Sequence, residues 1–170
     1  MDALDRLLAI EGVKQCKAKY AYCVDTKDWD GFSALFTDDA AFDETDAMTA
    51  RHPRTGEWVR TGSEFSLELL QSVENGIAWP VIGAKNIAEC ARNMAEHNVL
   101  VHKLFNPTIE ILTESTAKAI WPFEDEVYFS EGQPMRYMNG MGHYHETYEK
   151  KGDSWLIKTM KLSRTLVRAR

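Results

Sequence analysis

Residues 142–165 read GHYHETYEKKGDSWLIKTMKLSRT, and this stretch predicts two antiparallel strands joined by a turn at residues 151–153. Strand-like segments of the same kind begin at residue 98, where the hydrophobic period changes from that of a helix to two residues. The chain before residue 98 is mostly helical in pattern. Because helices come first and a long meander of strands follows, the sequence predicts an α+β fold with helices packed on one face of a curved sheet.

The helical part begins with residues 2–25, where apolar side chains recur at steps of three and four. Asp28 is placed to cap a second, shorter helix, and a short strand is predicted at residues 40–43. A clear amphipathic helix is predicted over residues 83–98. All of these elements suit one domain, residues 1–170, of ordinary size.

Residues 45–82 have the least regular pattern in the chain. Within this stretch, TARHPRTGEWVRTG at residues 49–62 predicts a loop with a short strand or hairpin. A further helix would run from a cap at Ser63 to a stop at Gly76.

The composition is that of one globular domain: of 170 residues, 44% are hydrophobic and 27% are charged. The net charge of −6 disfavours nucleic acids and anionic membranes as partners. No apolar run approaches the ~20 residues that span a bilayer, and the N-terminus lacks the features of a signal peptide. The three cysteines do not make a disulfide framework, so reduced thiols and a cytoplasmic location are expected.

Strand alternation indicates which polar side chains point toward the core, because residues i and i+2 share a face. Three polar residues on three predicted strands fall in phase with apolar neighbours: His102, Asp125 and Arg164. Those neighbours are Leu100 and Leu104 for His102; Ala117, Ala119, Trp121 and Phe123 for Asp125; and Leu156, Met160, Leu162 and Leu166 for Arg164. Pro122 predicts a bulge or an edge position near Asp125. Burying an unpaired charge is unfavourable, so these side chains are expected to have partners.

Two polar residues near the end of the first helix are further candidates for a site. Tyr20 lies on the apolar face, while Asp25, five residues later, lies ~140° around the helix axis. The two side chains can converge only if the helix ends or bends near Val24. Taken singly, each candidate has a structural interpretation as a core, helix-end or ion-pair residue. Taken together with His102 and Arg164, they favour a functional site.

Both ends of the chain resemble a known family. KYAYCVD at residues 19–25, followed by DWDGFSALFTDDAAF at 28–42, resembles the opening of SnoaL-like proteins of the nuclear transport factor 2-like superfamily. Residues 142–165 resemble the last two strands of that family, and HKLFNPTIEI and AKAIWPFED fit the strands between. The resemblance covers about residues 5–44 and 83–168. It implies a cone, in which helices and a strongly curved, mostly antiparallel sheet enclose a deep apolar pocket.

Within that family, the pattern is most similar to the bile acid 7α-dehydratases, with scytalone dehydratase as a more distant relative. The resemblance implies catalytic roles for Tyr20, Asp25 and His102. It implies accessory or substrate-binding roles for Arg164, Asp125, Trp121 and Asn106. His102 would be the general base, Asp25 would hold its imidazole tautomer, and Tyr20 would stabilise negative charge on oxygen. Arg164 and Asp125 would pair at the polar end of the pocket or bind a substrate oxygen.

This combination favours a cofactor-independent lyase or isomerase of the dehydratase kind. Such an enzyme would abstract a proton next to a carbonyl in a hydrophobic polycyclic or aromatic substrate. Two alternatives stay open: a non-catalytic protein that binds small hydrophobic ligands, and the small subunit of a larger oxygenase-type assembly. Compared with the family that the chain resembles, residues 45–82 form an extended insertion, which we expect to fold over the mouth of the cone or to form an oligomer contact. The insertion can reshape the pocket, so the substrates of the family are not transferred to this chain.

His143 and His145, together with Glu149, have the spacing of the first metal-binding motif of cupins. The second cupin motif is absent from the sequence and no histidine follows His145, so no metal site is predicted. Alternation instead predicts that both histidines lie on the outer face of the sheet. That face is mixed in character, as subunit interfaces often are, so we expect self-association as a dimer or trimer.

Overall fold

The computed structural model describes residues 1–45, 47, 49–51, 58–60, 78–133 and 136–169. The helices in this part of the chain are α1 (Ala3–Thr26), α2 (Trp29–Ser33) and α3 (Ala84–Ala95). The strands are β1 (Phe36–Asp43), β2 (Thr49–Arg51), β3 (Trp58–Arg60), β4 (Val81–Ile82), β5 (Val99–Leu104), β6 (Thr108–Ile111), β7 (Thr116–Tyr128), β8 (Tyr137–Lys151) and β9 (Ser154–Ala169). The predicted order, helices first and a meander of strands last, is confirmed.

Seven strands form one sheet in the order β4-β1-β9-β8-β7-β5, with β6 pairing with β7 beside β5. All pairs are antiparallel except β1 with β9, which is parallel. The sheet does not close on itself, and the helices α1 and α3 pack against it. This is the α+β arrangement of helices on a curved, mostly antiparallel sheet that the sequence predicts.

Helix α1 has a capping interaction at each of its two ends. Asp2 caps its N-terminus in a reciprocal capping box with Asp5, and Lys27 ends it in the left-handed conformation. Burial along α1 begins at Ala9, so the apolar side chains of the first turns stay exposed, contrary to the sequence pattern; these are Leu4, Leu7 and Leu8. Among the described residues, no helix combines the length and hydrophobicity that a membrane crossing requires.

Two irregularities in the β8–β9 pairing determine which side chains of β9 face the helices. The register shifts twice, and Lys158 and Thr165 are left without an opposite residue. Each shift reverses the alternation of faces. The buried residues of β9 are accordingly Trp155, Ile157, Met160, Leu162, Arg164 and Val167. The inward phase expected for Leu156 and Leu166 is therefore wrong, since both are only half-buried, whereas Arg164 does point inward.

The irregularity expected at Pro122 is found on one side of β7: between the β5 and β6 pairings, residues 105–107 lie opposite residues 121–122. Pro122 pairs regularly with His143 of β8, in the middle of the sheet. On its other side, its carbonyl accepts a hydrogen bond from the Phe105 N–H, at the point where β5 gives way to β6. Because a residue in an antiparallel strand directs its N–H and C=O to the same neighbour, the missing N–H of Pro122 faces this break.

The insertion is described only in part. Strands β2 and β3 form a separate antiparallel pair, in agreement with the short strands predicted within residues 49–62. The helix expected between Ser63 and Gly76 lies outside the described residues. Residues 45–82 are expected to fold over the mouth of the domain or to form an oligomer contact, and most of them also lie outside the described residues.

The cysteines are free thiols, as the sequence predicts. Cys16 and Cys23 are buried, and Cys90 is half-buried. Burial raises the pKa of Cys16 to about 12 and the pKa of Cys90 to about 11. Both thiols are therefore protonated at neutral pH and act as small packing residues rather than as nucleophiles.

Candidate active site

A cavity of about 140 Å³ lies between the helices and the sheet face that they cover. Its wall is mostly apolar, with aromatic side chains and methionines from both the helices and the strands. The polar residues in the wall are Tyr20, Glu44, His102, Asp125, Tyr144 and Arg164. A concave apolar site with a few convergent polar groups is the usual form of a small-molecule site.

His102 and Asp25 form a hydrogen-bonded dyad at this cavity. The Oδ1 atom of Asp25 lies 2.6 Å from His102 Nδ1, and Oδ2 accepts a hydrogen bond of 2.9 Å from the His102 backbone N–H. The carboxylate therefore favours the tautomer that carries its proton on Nδ1. Among the described residues, no group hydrogen-bonds Nε2, so the neutral ring has an unoccupied basic nitrogen.

The structure brings Asp25 and His102 together although Asp25 lies ~140° around α1 from Tyr20. Helix α1 continues one residue beyond Asp25, to Thr26, before Lys27 ends it. Tyr20 points into the cavity from the buried face, and Asp25 reaches β5 at the helix end. The ring centroids of Tyr20 and His102 are 6.4 Å apart. The end of α1 thus supplies two of the polar groups around one space.

Tyr20 is a neutral hydrogen-bond donor in this site. Burial raises the pKa of its hydroxyl well above the usual value, and the charge of Glu44 raises it further. A hydrogen bond with the Tyr144 side chain acts in the opposite direction. The pKa of Tyr144 is also raised, chiefly by burial. Both phenols are therefore protonated at neutral pH. Because the hydrogen bond that lowers the pKa of Tyr20 is one that Tyr144 donates, the Tyr20 hydroxyl is the one able to donate to an oxygen atom in the cavity.

Asp125 and Arg164 form a buried, bidentate ion pair beside the dyad. Arg164 Nη1 and Nη2 donate to the two carboxylate oxygens at 2.8 and 2.7 Å, and Asp125 lies opposite His102 in the β5–β7 pairing. Burial alone would lower the pKa of Arg164, but the charge and hydrogen bonds of Asp125 raise it above its usual value. Arg164 Nε is buried and has no hydrogen-bond partner among the described residues.

With this geometry established, the chain can be compared with known proteins. The signature of the SnoaL-like domain matches residues 5–161, which is most of the chain. The chain belongs to the SnoaL-like family. Its cone of helices on a curved sheet is the fold that this family shares with the nuclear transport factor 2-like superfamily.

Individual relatives of this SnoaL-like protein are distant in sequence. The probable cyclase FGR4 of Gibberella zeae is 24% identical over 153 residues, which cover 89% of this chain and 88% of the relative. A scytalone dehydratase-like protein of Novosphingobium aromaticivorans DSM 12444 superposes with a TM-score of 0.72, at 14% identity, over 99% of this chain and 92% of the other. The hexachlorocyclohexane dehydrochlorinase LinA-type3 of Novosphingobium barchaimii LL02 gives a TM-score of 0.72, at 13% identity, over 99% and 94%.

Two of the residues predicted for the site lie elsewhere in this SnoaL-like domain. Trp121 is buried, but its indole Nε1 donates to the Tyr148 hydroxyl at 3.1 Å, and Trp121 is not part of the cavity wall. Asn106 is exposed between β5 and β6 and does not line the cavity. Alternation predicts the correct face of β7 for Trp121. The residue lies farther along the strand, however, outside the part that borders the cavity.

The two histidines of the cupin-like spacing lie outside the cavity. Their rings are 6.3 Å apart, and His145 Nε2 lies 3.2 Å from the Ser163 hydroxyl. No group of three or more histidine, cysteine or acidic side chains suited to a metal ion occurs in the described part of the chain. The outer-face placement agrees with the alternation of β8, whose buried positions alternate with these histidines.

Four residues at or behind the site were not predicted from the sequence: Glu44, Tyr144, Gly140 and Lys17. Tyr144 could have been found, because the alternation that turns His143 outward turns Tyr144 inward. Lys17 could also have been found, since it lies three residues before Tyr20 on the same helix face. Glu44 and Gly140 carry no comparable signal in the sequence.

Gly140 provides the space that the ion pair occupies. A Cβ atom at Gly140 would lie 1.7 Å from Arg164 Nη1 and 2.5 Å from Asp125 Oδ1. We expect Gly140→Ala to lower the free energy of unfolding by about 3 kcal/mol, because the methyl group must displace a buried ion pair. Urea denaturation measures this change. A free energy of unfolding equal to that of the wild type would contradict it.

Proposed function

We propose that this SnoaL-like protein is a cofactor-independent lyase or isomerase that removes a proton next to a carbonyl group in a hydrophobic substrate. The observation that carries the proposal is the dyad: His102 Nδ1 is held by Asp25 while Nε2 has no partner among the described residues. The dyad borders an apolar cavity that also contains two protonated phenols. A histidine in this setting is suited to general base catalysis near neutral pH.

The proposed first step is proton transfer from the α-carbon of the substrate to His102 Nε2. The C–H bond breaks, its electron pair forms a carbon–carbon double bond, and the carbonyl electrons move to oxygen. Asp25 stabilises the resulting imidazolium through the 2.6 Å contact at Nδ1. The Tyr20 hydroxyl donates to the enolate oxygen and stabilises the negative charge that develops there.

The second step returns the proton from the imidazolium. In a dehydration, the enolate expels a hydroxyl group from the β-carbon, and this group takes the proton and leaves as water. In an isomerisation, a different carbon of the same conjugated system takes the proton. Both outcomes balance without a redox partner. Arg164 belongs to the cavity wall, and in this proposal it interacts with a second substrate oxygen while Asp125 holds its two terminal nitrogens.

The names of the relatives support this class of reaction. One is called a cyclase, one is scytalone dehydratase-like and one is a dehydrochlorinase. At 13–24% identity these names do not transfer a substrate to this chain. We therefore limit the proposal to a hydrophobic carbonyl compound of polycyclic or aromatic type, with self-association and a cytoplasmic location as parts of the same proposal.

The test uses proton exchange, which does not require the natural substrate. The purified protein is incubated in D₂O with a panel of hydrophobic cyclic β-hydroxyketones, and mass spectrometry follows α-deuteration and loss of water. We expect the wild type to accelerate one or both processes and His102→Gln to lose the acceleration. The matched control is His97→Gln, an exposed histidine outside the cavity wall. Equal acceleration by wild type and His102→Gln would reject His102 as the base.

A non-catalytic ligand-binding protein is the second candidate, because the same apolar cavity would hold a hydrophobic ligand without any reaction. Native mass spectrometry distinguishes the two. A bound compound that is retained unchanged through long incubation, with no deuteration of any ketone in the panel, would favour binding over catalysis.

A further inference from the structure

A second ion pair lies behind the cavity wall, and the proposed mechanism does not use it. Lys17 Nζ of α1 lies 2.5 Å from Glu146 Oε1 of β8, and both side chains are fully buried. The other oxygen of Glu146 accepts a hydrogen bond from the Tyr148 hydroxyl, which in turn accepts one from the Trp121 indole. Both carboxylate oxygens of Glu146 therefore have a partner, and the Tyr148 hydroxyl both donates and accepts a hydrogen bond.

The Lys17 ammonium contacts the two tyrosines of the cavity wall from behind. Its Nζ atom lies 3.8 Å from the ring centroid of Tyr20 and 3.5 Å from that of Tyr144. Lys17 Nζ makes a third contact with the Met160 sulfur, at 3.6 Å. Lys17 is not part of the cavity wall, so one buried cation touches both cavity phenols without itself reaching the cavity.

A contribution to the stability of the fold does not readily explain why the Lys17–Glu146 ion pair is buried. Transferring two charges out of water is unfavourable, and replacing a buried ion pair by apolar residues is often neutral or even stabilising. Burial lowers the pKa of Lys17 below its usual value, and the charge and hydrogen bond of Glu146 partly offset this effect. The contact with Glu146 therefore favours the charged form of Lys17 against the effect of desolvation.

The charges that surround the Tyr20 hydroxyl explain why a cation is useful there. Three carboxylates oppose negative charge on this group: Glu44, which follows β1, Asp125 of β7 and Glu146 of β8. The positive charge of Arg164 is largely compensated by the carboxylate of Asp125. Lys17 is the cation in contact with the Tyr20 ring itself, and a cation over an aromatic face withdraws electron density from it. A phenol polarised in this way is a stronger hydrogen-bond donor.

We propose that Lys17 is a positioning residue: its ammonium, held by Glu146, fixes the rings of Tyr20 and Tyr144 and strengthens the Tyr20 hydroxyl as a donor to an oxyanion in the cavity. The inference rests on the proposed function only in placing an oxyanion there. It extends that function by assigning a role to a charged pair that touches neither the substrate nor the dyad. Its test needs no turnover, so its failure is separate from a failure of the catalytic proposal.

The test compares the affinities for two probes of similar shape, the anion 4-nitrophenolate and the uncharged nitrobenzene, by equilibrium dialysis. The double variant Lys17→Met/Glu146→Gln removes both charges and leaves an amide oxygen that can still accept a hydrogen bond from Tyr148. We expect its preference for the anion over nitrobenzene to be about tenfold lower than that of the wild type. Lys14→Met, an exposed lysine of the same helix, is the matched control and keeps the wild-type preference.

Tyr20→Phe, made in the wild type and in the double variant, shows whether Lys17 acts through Tyr20. We expect it to reduce anion preference strongly in the wild type and much less in the double variant, since interacting residues are not additive. Full additivity, an unchanged preference in the double variant, or a wild type with no preference for the anion would each overturn the proposal. If near-UV circular dichroism shows that the double variant does not fold, Lys17→Gln/Glu146→Gln, an uncharged pair whose side chains can still hydrogen-bond to each other, replaces it, and the same loss is expected.

Discussion

Asp25→Asn is expected to reduce the rate of substrate deuteration about 10³-fold while leaving the fold intact. Asp25 uses one oxygen for the His102 backbone N–H, at 2.9 Å, and the other for Nδ1, at 2.6 Å. In the variant, the single amide oxygen must accept from the backbone N–H, so the NH₂ group faces Nδ1. That group can only donate, which moves the ring proton to Nε2 and removes the basic nitrogen from the cavity.

The experiment measures kcat/KM for α-deuteration in the same ketone panel. Asp30→Asn, an exposed acid in α2, is the matched control and is expected to keep the wild-type rate. Substrate affinity should change little in Asp25→Asn, because the carboxylate is not part of the cavity wall. A rate close to that of the wild type would show that Asp25 does not set the tautomer of His102, and the dyad mechanism would have to be abandoned.

The second large effect is expected on stability. Asp125→Ala leaves the Arg164 guanidinium without its carboxylate in a site where both side chains are only 6% exposed. An uncompensated buried charge destabilises a protein by about 3–5 kcal/mol. We therefore expect the free energy of unfolding, measured in urea, to fall by roughly that amount, which is a large part of the stability of a domain of this size.

A double variant separates the cost of the unpaired charge from the worth of the pair. Asp125→Leu/Arg164→Met removes both charges, and its free energy of unfolding is expected to lie much closer to that of the wild type. The surface pair of Lys118 and Glu110 provides the control, since both side chains are more than half exposed. Glu110→Gln is expected to change stability little. Equal losses in Asp125→Ala and the double variant would contradict an ion pair stabilised mainly by mutual compensation.

Much of the site could be predicted because local periodicity decides which side of an element a residue occupies. In β7 the alternation runs unbroken from Ala117 to Val127, so it identifies Asp125 as inward. In α1 the helical period identifies Tyr20. The pairing of Asp25 with His102 is different, because it depends on where α1 ends relative to β5, and only the resemblance to SnoaL-like proteins suggested it.

The errors have equally specific causes. Leu156 and Leu166 were expected to point inward with Arg164, but the two register shifts in β9 change the phase on either side of it. Trp121 is on the predicted face of β7 but lies below the cavity, next to Tyr148. Alternation gives the face of a residue and carries no information on its depth along the strand relative to a cavity.

By itself, the sequence determined the order of helices and strands, the inward side of most strands and the family to which the chain belongs, because these depend on local periods and short motifs. The tertiary structure decided which of the inward polar groups meet. Asp125 pairs with Arg164 across 39 residues, and Lys17 with Glu146 across 129. The Asp125–Arg164 pairing is set by the register between β7, β8 and β9, by the two shifts within it, and by the close approach that Gly140 allows. The Lys17–Glu146 pairing depends on how α1 packs on the sheet. Contacts between distant segments depend on the whole packing arrangement, and no local pattern encodes them.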